Sequence, residues 1–218
     1  MKNLASLIVL AYERPEFLHR MMTSLLTVDS GYPMEIIVHN DGSTEDEVFQ
    51  YLTSLAHEKK ITILINNCGQ NVGIEQSVRR GIACSSGDYI FKLDTDLEFT
   101  PGWLGKAVAI LEHEETVGAV GLIDYRKYDP ADSRFWEVTE MPNFLWVKDF
   151  VSSAYGFTRT VYNAAGKYMK HDGWHLKLQE LGYRLVIKDV VNNFGFGRSI
   201  YVGSDGLAVD MEHPPLTF

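Results

Sequence analysis

Two carboxylates separated by a single residue are the sharpest chemical feature of this sequence. Asp94-Thr95-Asp96 directly follows the apolar run YIFKL at positions 89–93. Alternate residues at the end of a strand point to the same side, so both carboxylates can approach one cation. Mg²⁺ needs few protein ligands and leaves room for substrate phosphates. The pair therefore predicts a divalent-cation site, although a helix cap or a solvated turn would also use these residues.

Polar segments follow three other apolar runs in the same way. In an open parallel sheet, ligands bind beyond the carboxyl ends of the strands, so we expect these segments and Asp94–Asp96 to line one cleft. The three segments are Ala11–Arg14, Asn40–Ser43 and Asn66–Gly73.

Two side chains in that cleft suit a nucleoside. Tyr12 can stack on a base, and Asp41 can accept hydrogen bonds from a base or a ribose. Gly42 permits the close approach of another backbone. Each has a plainer alternative, since Tyr12 is also compatible with packing and Asp41-Gly42-Ser43 with a simple turn before a helix.

The elements that must position these residues alternate along the first half of the chain. Between the strands, apolar side chains recur at helical spacing, with Pro15 at a first helical position and Thr100-Pro101 opening a later helix. Ser43 or Thr44 is expected to cap the helix that follows the second strand. Repeated strand–helix units predict an α/β fold with a mostly parallel sheet and helices on both faces. The predicted strands are Leu4–Leu10, Met34–His39, Ile61–Ile65, Tyr89–Leu93 and Val117–Ile123.

After Ile123 the pattern changes. A polar and aromatic excursion at Tyr125–Asn143 precedes further strand-like and helical segments. We expect one domain, residues 1–218, with halves at 1–123 and 124–218. The segments predicted in the second half are a strand within Phe144–Thr158, helices at Val161–Lys170 and His171–Leu181, and a strand at Leu185–Val191.

Composition excludes several classes of protein. The 218 residues have a net charge of −9, which disfavours a nucleic-acid-binding face or docking on anionic lipid. Two cysteines cannot form a disulfide framework, and no apolar run reaches the roughly 18 residues of a membrane span. A cytoplasmic protein without an integral membrane segment is expected.

Four segments, in order, resemble the family 2 glycosyltransferases of the GT-A fold. They are SLIVLAYERPEFL, EIIVHNDGSTEDEV, NNCGQNVGIEQSVRRGI and GDYIFKLDTDLEFTPGWL, and their order, spacing and strand context match that family from Leu4 to about Ile123. A later stretch, HDGWHLKLQELGYRLVI, resembles the region in which that family has an acidic general base.

The resemblance implies an inverting, metal-assisted glycosyltransferase. Its first half would bind a nucleotide-diphospho-sugar, with a UDP-sugar favoured, and its second half would bind a saccharide or another hydroxyl-bearing acceptor. Asp172 would be the general base, and Mn²⁺ or Mg²⁺ would be held by Asp94, Asp96 and His213. The residues expected at the nucleotide are Ala11, Tyr12, Arg14, Asp41, Asn71, Arg79, Asp94 and Thr95.

Several of these roles have alternatives. Arg79 also fits a solvated helix face, and Asp172 fits an N-cap, with Asp132 and Glu137 as rival bases. A phosphatase would need its aspartates after the first strand, and a nucleotidyltransferase would need a loop rich in glycine and arginine there. A catalytically inactive glycosyltransferase-like protein that binds a nucleotide sugar or a partner is the main alternative function.

Overall fold

The structure is a computed structural model of the chain. It describes residues 3–128, 138–149, 153–166, 171–194, 198–202 and 208–212.

Six α-helices occur in the described part of the chain. Pro15 begins the first of them, as predicted, because its fixed φ suits a first helical turn. No helix in these stretches is long and apolar enough to cross a membrane. The helices are α1 Pro15–Thr27, α2 Asp46–His57, α3 Ile74–Cys84, α4 Trp103–His113, α5 Arg159–Ala165 and α6 His171–Glu180.

The predicted apolar runs of the first half all form strands. Their side chains are rich in Val, Ile and Leu and are largely buried, as expected for strands covered on both faces. The strands are β1 Ala5–Ala11, β2 Met34–Asn40, β3 Ile63–Asn66, β4 Tyr89–Leu93, β5 Leu97–Phe99, β6 Val117–Gly121, β7 Thr139–Glu140, β8 Leu145–Val147, β9 Ala154–Thr158, β10 Arg184–Ile187, β11 Val191–Asn193, β12 Arg198–Val202 and β13 Ala208–Glu212.

One large sheet forms the centre of the molecule. Its strand order is β3-β2-β1-β4-β9-β6-β10-β8-β7, so the predicted halves share one sheet. The pairs β3–β2, β2–β1, β1–β4 and β6–β10 are parallel. β9 lies antiparallel between β4 and β6, and β8 is antiparallel to both of its neighbours. The mixed α/β fold with a mostly parallel sheet is therefore confirmed.

Two segments predicted as single strands are divided in the structure. Phe144–Thr158 contains β8 and β9, which lie at different places in the sheet. Leu185–Val191 contains β10 in the large sheet, and the chain then turns into β11, which pairs antiparallel with β5. Apolar periodicity does not reveal such divisions, because every piece is equally buried.

The predicted helix caps were wrong at two positions. Glu45, and neither Ser43 nor Thr44, immediately precedes α2, and its side chain makes no capping hydrogen bond. Gly102, with φ of 71°, precedes α4, while the Thr100 hydroxyl donates to the carbonyl of Val190 at 2.7 Å. Tertiary partners have replaced the local caps that the sequence indicated.

Candidate active site

The carboxyl ends of four parallel strands meet at one edge of the sheet. Ala11 at the end of β1 pairs with Asn40 of β2, which in turn pairs with Asn66 of β3. β4 lies on the other side of β1, with Leu93 opposite Val9. The four polar segments predicted to line one cleft therefore follow neighbouring strands at the same edge.

Asp94, the first carboxylate of the pair, is held by a buried lysine. Lys92 Nζ lies 2.6 Å from Asp94 Oδ1, and Lys92 is only 1% exposed. The backbone N–H of Asp94 donates to the carbonyl of Ser153, just before β9. Burial raises the pKa of Asp94, and the Lys92 ammonium opposes that shift. Lys92 thus holds the side chain of Asp94, and Ser153 holds its backbone.

Asp96 presents one carboxylate oxygen for which the described residues supply no hydrogen-bond partner. Asn193 Nδ2 donates to Oδ2 at 3.0 Å, whereas buried Oδ1 has no hydrogen-bond partner among the described residues. Burial, followed by the charge of Asp94, raises the pKa of Asp96 to about 6. A buried oxygen without a donor is costly unless a cation or an unseen donor satisfies it.

The chemistry of this pair fits a divalent cation. Carboxylate oxygens are hard ligands, and two of them suffice for an ion that is also bound by substrate phosphates. Among the described residues there is no cluster of three or more His, Cys, Asp or Glu side chains that could hold a metal ion. His213, the expected third ligand, lies outside the described residues.

Asp41 organises the loop between β3 and α3. Its carboxylate accepts hydrogen bonds from Asn67 Nδ2 at 2.9 Å and from the backbone N–H groups of Val72 and Gly73 at 2.8 and 2.9 Å. The neighbouring Gly42 has φ of 82°, and a Cβ there would lie 2.4 Å from the carbonyl carbon of Gln70. The close approach at Gly42 is therefore made by the protein's own loop.

That loop returns to the end of β1. The Asn71 side chain hydrogen-bonds Tyr12, which lowers the pKa of Tyr12, but burial has the larger effect and raises it overall. Two of the residues predicted at the nucleotide are thereby brought together. Asn71 is exposed, so this pair lies at the protein surface.

Glu13 is a residue that the sequence analysis missed. Its carboxylate accepts hydrogen bonds from the Thr44 backbone and hydroxyl at 2.9 and 3.0 Å, and from the Glu45 N–H at 3.4 Å. In return, its own N–H donates to Ser43 Oγ at 2.9 Å. Glu13 thus satisfies donors at the start of α2 from a distance of some thirty residues along the chain.

The basic residues near the cleft occupy different positions. Arg14, with φ of 54°, precedes α1 and places its guanidinium 4.7 Å from the Phe17 ring. Arg79 pairs with Glu75 along α3 at 2.7 Å, as the helix-face alternative expects. The next residue, Arg80, instead donates to Asn67 Oδ1 at 2.6 Å and so contacts the loop that Asp41 organises.

The proposed base, Asp172, lies in the first turn of α6. This helix begins at His171, so Asp172 is its second residue and not the residue preceding it. The rest of the turn is anchored, because Trp174 is fully buried 4.6 Å from the Phe157 ring and His175 Nδ1 lies 2.8 Å from Asp149 Oδ1. The rival bases, Asp132 and Glu137, lie outside the described residues.

Asn193 is the other residue that sequence reasoning missed. It ends β11, which pairs with β5 immediately after Asp96. Nothing in the spacing of the sequence signals a contact across nearly one hundred residues. Locally, the sequence shows only an asparagine in a short strand-like segment, which does not distinguish a functional residue from any other.

The chain matches the family model for glycosyl transferase family 2 over residues 6–145. It is 34% identical over 119 residues to an uncharacterized glycosyltransferase of Haemophilus influenzae, covering 54% of this chain and 36% of that protein. The chain spans about a third or less of the length of the curated relatives it matches.

Two solved structures have the same fold at low identity. A mannosyltransferase from Pyrobaculum calidifontis, in complex with GDP-Man and Mn²⁺, superposes with a TM-score of 0.68 at 17% identity, covering 85% of this chain and 54% of that one. GalNAc-T7 with UDP, GalNAc and Mn²⁺ gives a TM-score of 0.70 at 14% identity, covering 87% and 42%. The chain therefore has the GT-A fold.

Proposed function

The chain belongs to glycosyl transferase family 2, and from that premise we propose that it transfers a sugar from a nucleotide-diphospho-sugar to an acceptor hydroxyl, with inversion. The observation that supports this most directly is the Asp94–Asp96 pair at the end of β4, where Asp96 Oδ1 is buried and has no hydrogen-bond partner among the described residues. A pair of oxygen ligands at the shared edge of parallel strands is suited to a metal-bound diphosphate.

The donor is proposed to lie across the ends of β1, β2 and β4. Tyr12 and Asp41 would contact the nucleoside, with Ala11, Arg14, Asn71, Arg79, Asp94 and Thr95 completing the nucleotide site. The two structural neighbours hold a GDP-sugar and UDP, each with Mn²⁺. We favour a UDP-sugar for this chain, as the family resemblance does.

Mn²⁺ or Mg²⁺ would be held by Asp94 and Asp96, with His213 proposed as a further ligand. When bound, the cation supplies a Lewis acid that offsets the negative charge accumulating on the leaving diphosphate. The Lys92 ammonium lies 2.6 Å from Asp94 Oδ1 and so holds this carboxylate at the end of β4.

Asp172 is proposed as the general base. Its carboxylate would accept the proton of the acceptor hydroxyl as that oxygen attacks the anomeric carbon. The new glycosidic C–O bond forms while the bond from the anomeric carbon to the diphosphate oxygen breaks, and the nucleoside diphosphate departs with that electron pair. One displacement of this kind inverts the anomeric configuration.

The acceptor is proposed to bind to residues 124–218, and it would be a saccharide or another molecule bearing a hydroxyl group. The net charge of −9 disfavours nucleic acid as a partner. A single catalytic domain acting in the cytoplasm is the setting we propose.

Turnover of a donor panel tests this function. UDP-, GDP- and dTDP-sugars would be incubated with Mn²⁺ and simple saccharide acceptors, and release of nucleoside diphosphate measured. We expect Asp96→Ala and Asp172→Ala to abolish transfer. Glu115→Gln, in the exposed loop before β6, and Glu180→Gln, at the opposite end of α6, are matched controls that should keep it.

The outcomes separate the two candidate functions. Full activity of Asp172→Ala would remove that residue as the base. Nucleotide binding without turnover of any donor would favour the catalytically inactive, binding-only alternative.

A further inference from the structure

The two oxygens of Asp96 differ in their surroundings. Oδ2 accepts a hydrogen bond from Asn193 Nδ2 at 3.0 Å. Oδ1 is buried and, within the described stretches, has no hydrogen-bond partner. Because one oxygen is tethered, the carboxylate cannot rotate freely, and the other oxygen keeps a fixed direction.

Asn193 is itself held at several points. Its Nδ2 also donates to the Tyr125 hydroxyl at 2.8 Å, and its backbone N–H donates to the Tyr128 hydroxyl at 3.0 Å. The residue is only 6% exposed, and the pairing of β11 with β5 fixes its backbone opposite Leu97. The next residue, Phe194, donates its N–H to the Asp96 carbonyl at 2.9 Å.

The chemistry of this contact determines its orientation. An ionised carboxylate only accepts hydrogen bonds, so the amide must turn its NH₂ group toward Asp96. The Tyr125 hydroxyl oxygen accepts a second hydrogen bond from the same NH₂ group at 2.8 Å. Asn193 therefore has one stable orientation.

We propose that Asn193 is a positioning residue for the metal site: it binds Asp96 Oδ2 and so presents Oδ1 to the divalent cation. This inference rests on the proposed metal-dependent glycosyl transfer. Groups that orient a metal's carboxylate ligands typically contribute 10- to 100-fold to metal affinity. Tyr125 contributes indirectly, because its hydroxyl accepts a hydrogen bond from Asn193 and so helps to keep Asn193 in place.

Direct measurement of Mn²⁺ binding tests the proposal without relying on activity. The free Mn²⁺ signal in electron paramagnetic resonance would be titrated against wild type and Asn193→Leu, with and without UDP. Leu has the same heavy-atom branching as Asn and keeps the backbone N–H, but its side chain cannot donate to Asp96. We expect Mn²⁺ to bind about 10- to 100-fold more weakly to the variant. Asn192→Ala, on the exposed neighbour, should change affinity less than twofold.

A second substitution covers the case in which Asn193→Leu does not fold. Tyr125→Phe removes only the hydroxyl that accepts from Asn193, and we expect Mn²⁺ affinity to fall two- to fivefold. Where both variants fold, the Tyr125→Phe effect should vanish in the Asn193→Leu background, since it acts through Asn193.

Kinetics distinguish positioning from general damage. If Asn193 acts on the metal site, Asn193→Leu raises the Mn²⁺ concentration needed for half-maximal transfer and largely restores the rate at saturation. Unchanged Mn²⁺ affinity in folded Asn193→Leu, or in Tyr125→Phe should the first variant not fold, would overturn the proposal. Wild type that binds no Mn²⁺ even with UDP would instead contradict the proposed metal dependence.

Discussion

At the end of β4, the positive charge of Lys92 lies close to the negative charges of Asp94 and Asp96. Lys92 is almost fully buried and pairs with Asp94, while Asp96 is tethered by Asn193. Burying charges costs free energy unless they are paired, and removing one member of a pair leaves the other uncompensated. The lysine thus offsets part of the repulsion between the two aspartates when no cation is bound.

The first prediction concerns Lys92→Met. Without the ammonium, Asp94 and Asp96 repel each other, so in EDTA we expect the variant to lose about 1–3 kcal/mol of unfolding free energy. Mn²⁺ should reduce that loss, because a bound cation replaces the missing positive charge. Thermal melts in EDTA and in Mn²⁺ measure both effects.

Lys106→Met is the matched control, because that lysine is exposed on α4 and donates only to a nearby carbonyl at the surface. Its melting temperature should hardly change in either condition. A Lys92→Met deficit that is equally large in EDTA and in Mn²⁺ would contradict the role assigned to the buried charge.

At the scale of elements, the loop between β3 and α3 is packed closely against the turn after β2. The second prediction is that Gly42→Ala weakens nucleotide binding at least tenfold and lowers stability by more than about 2 kcal/mol. The new Cβ would meet the backbone of Gln70 and Asn71 at 2.4–2.7 Å, in addition to the strain of a positive φ. UDP titration by calorimetry and chemical denaturation would measure the two losses.

Gly69→Ala separates these causes, because Gly69 also has a positive φ but a Cβ there would meet no atom within 4 Å. It should cost only about 1–2 kcal/mol and leave nucleotide affinity nearly unchanged. Equal nucleotide affinities in the two variants would show that the close packing at Gly42 has no part in binding.

The third prediction concerns the junction of β1, β2 and β4 at the opposite edge of the sheet. Glu35 accepts hydrogen bonds from Ser6 Oγ, from the backbone and hydroxyl of Ser86, and from the Gly87 N–H, at 2.6–3.2 Å. Burial alone would raise its pKa, but these donors outweigh burial and lower it. We expect Glu35→Gln to destabilise the protein by about 1–2 kcal/mol at pH 7.

The lowered pKa of Glu35 determines how its contribution to stability depends on pH. The stabilisation is complete above the ordinary glutamate pKa of about 4.5 and is lost as the pH falls through the lower value of the folded state. Wild type and Glu35→Gln should therefore converge in acid, as urea unfolding at pH 7 and pH 3 would show. A gap that widens in acid would refute the assignment.

Much of this arrangement could be predicted from the sequence, and the remainder has a physical reason. The position of Asp94 and Asp96 at the end of β4 could be predicted because a strand and the residues after it are consecutive in the chain. The hydrogen bonds from the start of α2 to Glu13 and from Asn193 to Asp96 could not be predicted, since each joins segments far apart in sequence. The wrongly predicted caps at Ser43, Thr44 and Thr100 have the same cause, because distant partners took over their local hydrogen bonds.

At the scale of the whole molecule, the proposed function requires an acidic protein to bind a diphosphate. With a net charge of −9 and two carboxylates at the proposed donor site, we expect nucleotide binding to need a bound cation in addition to the chain's own arginines. The fourth prediction is that UDP raises the melting temperature only with Mn²⁺ or Mg²⁺, by about 5–10 °C at a hundred times its Kd. EDTA should abolish the shift, and an undiminished shift in EDTA would argue against a metal-bound diphosphate.

The position of β9 has a consequence for how this protein is made. Residues 154–158 insert between β4 and β6, and Gly156 faces the Phe91 ring so closely that a Cβ would lie 2.2 Å from it. A nascent chain on the ribosome therefore cannot complete its sheet until more than 150 residues have emerged. Until then, the facing edges of β4 and β6 lack their partner, and unpaired edges invite aggregation. A chaperone that shields these edges should therefore raise the yield of native protein.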